Sequence, residues 1–351
     1  MRTDTVIIGD IHLHDRCKGY LGAQVKFLIN LINNEDPGEV VFLGDIFEFR
    51  RPDPKSLLAF KEIVDFCSKR SILMHVVTGN HDQNSKADDG VTALSLFRGK
   101  DCSPYIHNTV TEYKSRVYIP FFEEEAKIVE ALKNVDKDCV VFGHFGFRGA
   151  LNSGGNADFS ISLDKFKNVT FLGHIHENRE IGDKVYVVGT PYDTTPHYLG
   201  DIPRYYYVLT KSTHNGKTIP THSNPLRSGI IRKQTKGGPR LFNLKLAEIP
   251  YHLDDIHNPE NFSLVKVHLP QLEYDNREDI ITKYKLKDVG YFEFVFDPLL
   301  EKDEDFNFLS SSEQEMVEID RALLQEYVKN QNTSLDEESI MDGLEELEDE
   351  D

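Results

Sequence analysis

The stretch Val6-Ile7-Ile8-Gly9-Asp10-Ile11-His12 joins an apolar run to a glycine, a carboxylate and an imidazole. Four later segments repeat this arrangement of an apolar run before a polar motif: Val40-Val41-Phe42-Leu43-Gly44-Asp45, Val76-Val77 before Gly79-Asn80-His81-Asp82, Val140-Val141-Phe142-Gly143-His144 and Phe171-Leu172-Gly173-His174-Ile175-His176. Short apolar runs bounded by glycine are typical of buried strands. Because ligands in open α/β sheets bind at the carboxyl ends of the strands, we expect these polar side chains to converge on one crevice.

The converging side chains are of the types that bind divalent transition metals. The predicted ligand set offers carboxylate, imidazole and amide groups and consists of Asp10, His12, Asp45, Asn80, His144, His174 and His176. These are too many ligands for one ion, so we predict two ions with Asp45 between them, an arrangement suited to hydrolysis of a phosphate ester by an activated water. Mixed nitrogen and oxygen ligands favour manganese first, then iron, zinc or cobalt, over magnesium.

His81 is left over once the two coordination spheres are filled. We therefore predict that His81 faces the substrate phosphate, where it protonates the leaving oxygen or stabilises the developing charge. Its neighbour Asp82 is expected to hold the tautomer of His81 from behind. His81 and Asp82 are the predicted catalytic residues.

The net charge of −19 is concentrated near the C-terminus. Residues 1–300 carry 40 acidic and 37 basic side chains, whereas residues 336–351 carry ten acidic side chains and no basic one. Between Ile202 and Ala247 there is no acidic residue but there are nine basic ones. Such a stretch can neutralise nucleic-acid phosphates, and Arg232, Lys233 and Lys236 are the predicted contacts; the alternative is a solvated hairpin face.

Strands alternate with amphipathic helices over the first 200 residues, and the pattern becomes richer in strands and turns after His214. We therefore predict an α/β domain at residues 1–212, a small β-rich capping and DNA-binding domain at 213–300, and a C-terminal segment at 301–351.

The C-terminal segment contains one capped helix pattern. Ser312 and Glu315 form a capping box, followed by Met316, Ile319, Leu323 and Tyr327 on one helical face. A short amphipathic helix far from a core is marginal alone, so we expect residues 312–330 to bind a partner protein. The end of the chain, residues 331–351 with the acidic run 336–351, has two open interpretations, a second docking segment or a disordered tail.

The composition also indicates where in the cell the protein is expected to be. The four cysteines, Cys17, Cys67, Cys102 and Cys139, are scattered without metal-type spacing, as expected of reduced thiols in a cytoplasmic protein. We predict no membrane span and no cleaved leader, because no apolar run is long enough and the first motif begins at Gly9. The predicted location is the cytoplasm, or the host cytoplasm for a phage-encoded chain.

The five motifs together resemble the signature of the calcineurin-like metallophosphoesterases, and the resemblance covers roughly the first 200 residues. It implies a sandwich of two β-sheets flanked by helices. It also implies how the ligands divide: Asp10, His12, Asp45 and His176 would hold one ion, and Asp45, Asn80, His144 and His174 would hold the other.

A finer resemblance rests on Gly44-Asp45-Ile46-Phe47-Glu48-Phe49-Arg50-Arg51-Pro52 and on Gly189-Thr190-Pro191. These segments are similar to the SbcD-type nucleases of double-strand-break repair, and most similar to the small subunit of tailed-phage recombination endonucleases. The resemblance implies DNA as substrate, Arg50 and Arg51 as substrate contacts, and a coiled-coil ATPase of the structural-maintenance type as partner, with a homodimer of this chain in a heterotetramer. Many members carry a histidine where this chain has Glu48.

Three functions are compatible with these observations. The first is a metal-dependent DNA nuclease subunit that works with an ATPase. The second is a stand-alone phosphatase or phosphodiesterase acting on a small molecule or a phosphoprotein, which would not need the basic stretch or the C-terminal helix. The third is a non-enzymatic scaffold, which would be expected to have lost ligands. We favour the nuclease.

Overall fold

Parallel strands and amphipathic helices alternate from the start of the chain. The computed structural model describes residues 4–15, 17–99, 104–151, 155–194, 203–210, 213–214, 217–218 and 229–297. The first elements are β1 (Thr5–Ile8), α1 (Tyr20–Glu35), β2 (Glu39–Phe42), α2 (Pro54–Lys69), β3 (Leu73–Val77) and β4 (Tyr105–His107). Helix α2 begins at Pro54 because Asp53 accepts hydrogen bonds from the amide groups of Lys55 and Ser56 and proline suits the first helical turn.

A second series of elements builds the opposite sheet. It consists of β5 (Thr111–Glu112), β6 (Arg116–Ile119), α3 (Glu125–Lys133), β7 (Val140–His144), β8 (Thr170–Gly173), β9 (Arg179–Ile181) and β10 (Val185–Val187). The chain then returns to the first sheet through β11 (Tyr205–Leu209), passes through the short pair β12 (Thr213–His214) and β13 (Lys217–Thr218), and adds β14 (Ile230–Gln234).

Two six-stranded sheets form the body of the molecule. Their strand orders are β14-β11-β1-β2-β3-β4 and β5-β6-β7-β8-β10-β9. Strands β1 to β4 are parallel to one another, as are β6, β7, β8 and β10, so their carboxyl ends open toward one edge of each sheet.

Apolar side chains fill the layers on both faces of each sheet. Between the sheets lie Val41, Leu43 and Val77 of the first and Phe142 and Phe171 of the second. The outer face of the first sheet is covered by α1 and α2, and that of the second by α3. The predicted class is confirmed: the fold is α/β, with two sheets flanked by helices.

A three-stranded parallel sheet occupies residues 238–297. Its elements are β15 (Gly238–Lys245), α4 (Ile249–Ile256), β16 (Asn261–Leu269), α5 (Gln271–Asp275), α6 (Arg277–Lys283) and β17 (Tyr291–Phe296). We expected a β-rich region here but not the three helices that connect and cover the sheet. Leu241 of β15 and Leu264 of β16 pack with Tyr20 at the start of α1, which attaches this sheet to the first one.

The predicted domain boundaries at residues 212/213 and 300/301 stay predictions. The C-terminal segment, with the helix predicted at residues 312–330, lies outside the described residues. Within the described part of the chain, no helix combines the length and the apolar character needed to cross a membrane. Cys67 and Cys139 are buried free thiols.

Candidate metal centre

The seven predicted metal ligands lie at the carboxyl ends of five strands. Asp10 and His12 follow β1, Asp45 follows β2, Asn80 follows β3, His144 ends β7, and His174 and His176 follow β8. The two sheets therefore contribute to one shared site. Asp10, Asp45 and His144 are buried, so their charges and polar atoms are removed from bulk water.

The first cluster consists of Asp10, His12 and His176, whose ligand atoms lie within 4.8 Å of one another. The Nε2 atoms of His12 and His176 are 3.0 Å apart. His176 Nε2 lies 3.7 Å from Asp10 Oδ2, and His12 Nε2 lies 3.7 Å from Asp45 Oδ2. Together with Asp45, these three residues are the set that the family resemblance assigns to one ion.

The second cluster is centred on the amide oxygen of Asn80. Asn80 Oδ1 lies 3.1 Å from His144 Nε2 and 3.1 Å from His174 Nδ1. Asp45 Oδ2 lies 3.4 Å from His144 Nε2 as well as 3.7 Å from His12 Nε2. One oxygen of Asp45 thus faces both clusters, which is the position required of a bridging carboxylate.

The hydrogen bonds around His144 show why a cation fits this site. His144 Nδ1 lies 2.6 Å from the carbonyl oxygen of Leu43, so it carries the proton that it donates there. In the neutral ring, the lone pair of Nε2 then faces the oxygens of Asn80 and Asp45, which are also acceptors. Lone pairs that face one another in a buried site repel, and a divalent cation between them would turn each into a ligand.

The pKa values of the site also indicate that this environment favours positive charge. Burial alone would lower the pKa of His144, but the carboxylates of Asp45 and Asp10 outweigh it and raise that pKa to about 9. Burial would raise the pKa of Asp45, yet His144 and His12 hold it well below its usual range. For Asp10, burial dominates and raises the pKa to about 6.

Tight backbone packing brings the ligands together. Gly44 has φ 102°, and a side chain there would overlap the ring of His144. At Gly173, a Cβ would lie 2.6 Å from Asp10 Oδ1. His12, Asp45 and His174 themselves have positive φ angles of 42°, 48° and 76°, a conformation that non-glycine residues adopt at a cost.

Asp158 is a site residue that the sequence pattern did not reveal. Its Oδ2 lies 3.2 Å from His174 Nε2, while His174 Nδ1 faces Asn80. A carboxylate on the far nitrogen orients a ligating histidine and makes it more basic. Asp158 stands in a loop away from any apolar run, so neither spacing nor periodicity could have identified it.

His81 lies beside the first cluster. The centroid of its ring is 5.1 Å from that of His12. His81 Nδ1 donates to the carbonyl oxygen of Glu48 at 2.6 Å, which leaves Nε2 as the nitrogen available to a substrate. The position agrees with a role next to the ligands rather than among them.

Asp82 does not make the contact that we expected with His81. Its Oδ1 accepts from the amides of Ile46 and Phe47, at 2.9 and 3.2 Å, and its Oδ2 accepts from the amide of Gly79 at 3.0 Å. The carbonyl of Glu48 holds the tautomer of His81 instead. Burial, followed by the charge of Asp45, raises the pKa of Asp82 to about 7.

The five predicted substrate contacts do not form one patch. Arg50 pairs with Glu123 at 3.2 Å, and Arg51 is exposed on the same loop. Arg232 lies on the face of β14 toward Asn178, which follows His176 by two residues. Lys233 points to the opposite face, where its Nζ lies 2.7 Å from Glu35 Oε2. Lys236 is exposed after β14.

Residues 4–178 match the family model described as calcineurin-like phosphoesterase. The match spans all seven ligands and His81. The chain therefore contains a calcineurin-like phosphoesterase domain, the domain of a metal-dependent phosphoester hydrolase. No curated protein matches the chain.

Proposed function

We propose that this chain is a dinuclear-metal-dependent nuclease subunit that hydrolyses phosphodiester bonds in DNA during recombination, repair or replication. The carrying observation is the shared oxygen of Asp45, which faces both ligand clusters beside the free Nε2 of His81. Two bound divalent ions, manganese by preference, would polarise the phosphate and acidify a water. Because Nδ1–H of His81 donates to the carbonyl of Glu48, the doubly protonated ring would present a second N–H, at Nε2, from which the leaving oxygen would take its proton.

DNA as the substrate is supported by charge near the site. Arg232 lies over the ring of Tyr205 at 4.7 Å and reaches Asn178, two residues after His176, while its Nε is 3.7 Å from Glu180 Oε1. It belongs to the acid-free stretch between Ile202 and Ala247. A guanidinium held on an aromatic ring beside a phosphoesterase site suits a backbone phosphate of a nucleic acid.

The substrate experiment compares end-labelled duplex DNA with a small chromogenic phosphodiester and a phosphomonoester, each incubated with the full chain and Mn²⁺. We expect DNA cleavage that chelation abolishes, with little turnover of the monoester. Turnover of the small substrates without any cleavage of DNA would favour the alternative, a stand-alone phosphatase or phosphodiesterase.

The ATPase partner is a separate part of the proposal. Burying Met316, Ile319, Leu323 and Tyr327 on a partner would stabilise a complex by roughly 1.5–3 kcal/mol per side chain before ordering costs. A chain truncated before Ser310 should keep its metal-dependent activity on a small phosphodiester but lose a coiled-coil ATPase in co-purification. Undiminished co-purification of the truncated chain would assign the contact to another region.

A further inference from the structure

Glu48 contacts two histidines of the candidate metal centre at once. Its carboxylate Oε2 lies 3.1 Å from Nδ1 of His12, and its backbone carbonyl accepts from Nδ1 of His81. His12 belongs to the first ligand cluster through Nε2, whereas His81 stands beside that cluster.

The backbone fixes Glu48 in this place. The loops after β1 and β2 run side by side, with the amide of His12 donating to the carbonyl of Asp45 at 2.9 Å and the amide of Leu13 donating to that of Ile46 at 2.8 Å. The amide of Glu48 then donates to the carbonyl of Leu13 at 3.3 Å. Glu48 is thereby attached to the segment that carries His12, and its side chain is only 20% exposed.

The direction of the contact distinguishes a positioning residue from a metal ligand. The two nitrogens of an imidazole point away from each other, and Glu48 approaches the nitrogen opposite the one that faces Asp45 and His176. The carboxylate lies 3.1 Å from that nitrogen, although without the angle of a hydrogen bond, so its charge favours a proton there and strengthens the other nitrogen as a ligand.

We propose that Glu48 is a positioning residue that holds His12 for the ion of the first cluster, while its carbonyl fixes His81 with Nε2 toward the substrate. Asp158 occupies the equivalent position behind His174 of the second cluster. Each cluster thus has one histidine with a carboxylate on the nitrogen that faces away from the ion, which we call the outer carboxylate. The inference deepens the proposed metal centre and does not depend on DNA as the substrate.

The test is a two-site titration of the metal-free full chain with Mn²⁺ by calorimetry, for the wild type, Glu48→Ala, Glu48→Gln, Asp158→Ala and the double variant Glu48→Ala with Asp158→Ala. Loss of an outer carboxylate weakens a metal site about 10–100-fold. We expect Glu48→Ala to weaken one binding event by that factor and leave the other nearly unchanged. Glu48→Gln, which retains an acceptor for His12 Nδ1, should recover part of the affinity. Asp158→Ala should weaken the other event, and the double variant should weaken both.

Melting temperatures of the metal-free variants provide the control for folding. The proposal predicts nearly unchanged melting of Glu48→Ala, because Glu48 lies at the edge of the core. Equal weakening of both events together with a lowered melting temperature would make Glu48 a general support of the fold, and wild-type affinity at both sites would overturn its role. Should Glu48→Ala lose one ion while the wild type cleaves no DNA, the inference stands and the nuclease proposal fails.

Discussion

At the scale of single residues, His81 and His174 differ in what their nitrogens face. His174 Nδ1 meets Asn80 inside the second cluster, whereas His81 Nδ1 is used by a backbone carbonyl. We predict that His81→Ala abolishes cleavage but binds two ions, and that His174→Ala loses one. Elemental analysis of the purified variants decides between the roles. A His81→Ala protein with one ion missing would show that His81 is a ligand.

A second residue-scale prediction concerns His75, which is buried between the sheets. Its Nδ1 lies 3.0 Å from His107 Nε2, and its ring stacks on Tyr105 and Tyr118. Burial lowers the pKa of His75 to about 3, with smaller contributions from the nearby charges of Arg116 and Lys114. His107 is similarly lowered to about 3, first by burial and then by His75 and Arg98.

The sign of the effect follows from the lowered pKa. The folded state keeps His75 neutral, while the unfolded chain binds a proton below pH 6.5, so stability falls as the pH decreases from 6.5 toward 3. At pH 5 the loss is about 2 kcal/mol for this histidine. Urea unfolding of the metal-free wild type should give a lower free energy of unfolding at pH 5 than at pH 7.5. In His75→Gln that decrease should be smaller by about 2 kcal/mol. An identical pH dependence in both proteins would mean that His75 is protonated in the folded state.

The ligands could be predicted from the sequence, but the residues that contact and orient the ligands could not. Asp10, Asp45 and His174 each follow a glycine at the end of an apolar run, and strand ends of one sheet are close in space whatever the loops do. Glu48 and Asp158 act across loops, so their positions depend on backbone turns that periodicity does not encode. For the same reason Asp82 was assigned to His81 by proximity in sequence, although its carboxylate points to the backbone of the neighbouring loop.

At the scale of elements, the loops that follow β2 and β3 are joined by the carboxylate of Asp82. It accepts from three amides, those of Ile46, Phe47 and Gly79, and the loops it joins carry Asp45 and Asn80. A buried amide without an acceptor costs about 1–3 kcal/mol. We predict that Asp82→Ala lowers the free energy of unfolding by about 3 kcal/mol or more and weakens Mn²⁺ binding, with Asp82→Asn intermediate. Denaturant melts of the metal-free variants measure the first effect, and a loss below about 1 kcal/mol would show that water replaces the carboxylate.

Helices α1, α2 and α3 were predictable because each carries an apolar stripe of helical period or clear end signals. The helices α4, α5 and α6 have eight, five and seven residues, too few turns for periodicity to separate a helix from a loop. Pairing between distant segments could not be predicted from periodicity either. Strand β14 joins the first sheet beside β11, whereas we expected the basic stretch that contains it to contact phosphates or, as the alternative, to form a solvated hairpin face.

At the scale of the whole molecule, the two faces of β14 give a matched pair of variants for DNA binding. Arg232 lies on the face with Asn178 and has only a long contact with Glu180, at 3.7 Å, whereas Lys233 on the other face is paired with Glu35 at 2.7 Å. We predict that Arg232→Ala weakens DNA binding and reduces the slope of log K against log salt by roughly one unit. Lys233→Ala should change neither value appreciably, and Lys236→Ala should resemble Arg232→Ala if DNA extends past the turn. Equal effects of Arg232→Ala and Lys233→Ala would contradict a specific contact between Arg232 and DNA. DNA binding would then depend only on the overall positive charge of the stretch.

In the proposed mechanism, Asp45 joins two ions into one hydrolytic centre. The direct measurement is the number of Mn²⁺ ions bound per chain together with the rate of DNA cleavage, in the wild type and in Asp45→Ala. We predict two ions and metal-dependent cleavage in the wild type. In Asp45→Ala we predict fewer than two ions and no cleavage. Cleavage by Asp45→Ala at the wild-type rate, or a wild type that is fully active with a single ion, would contradict the two-metal centre.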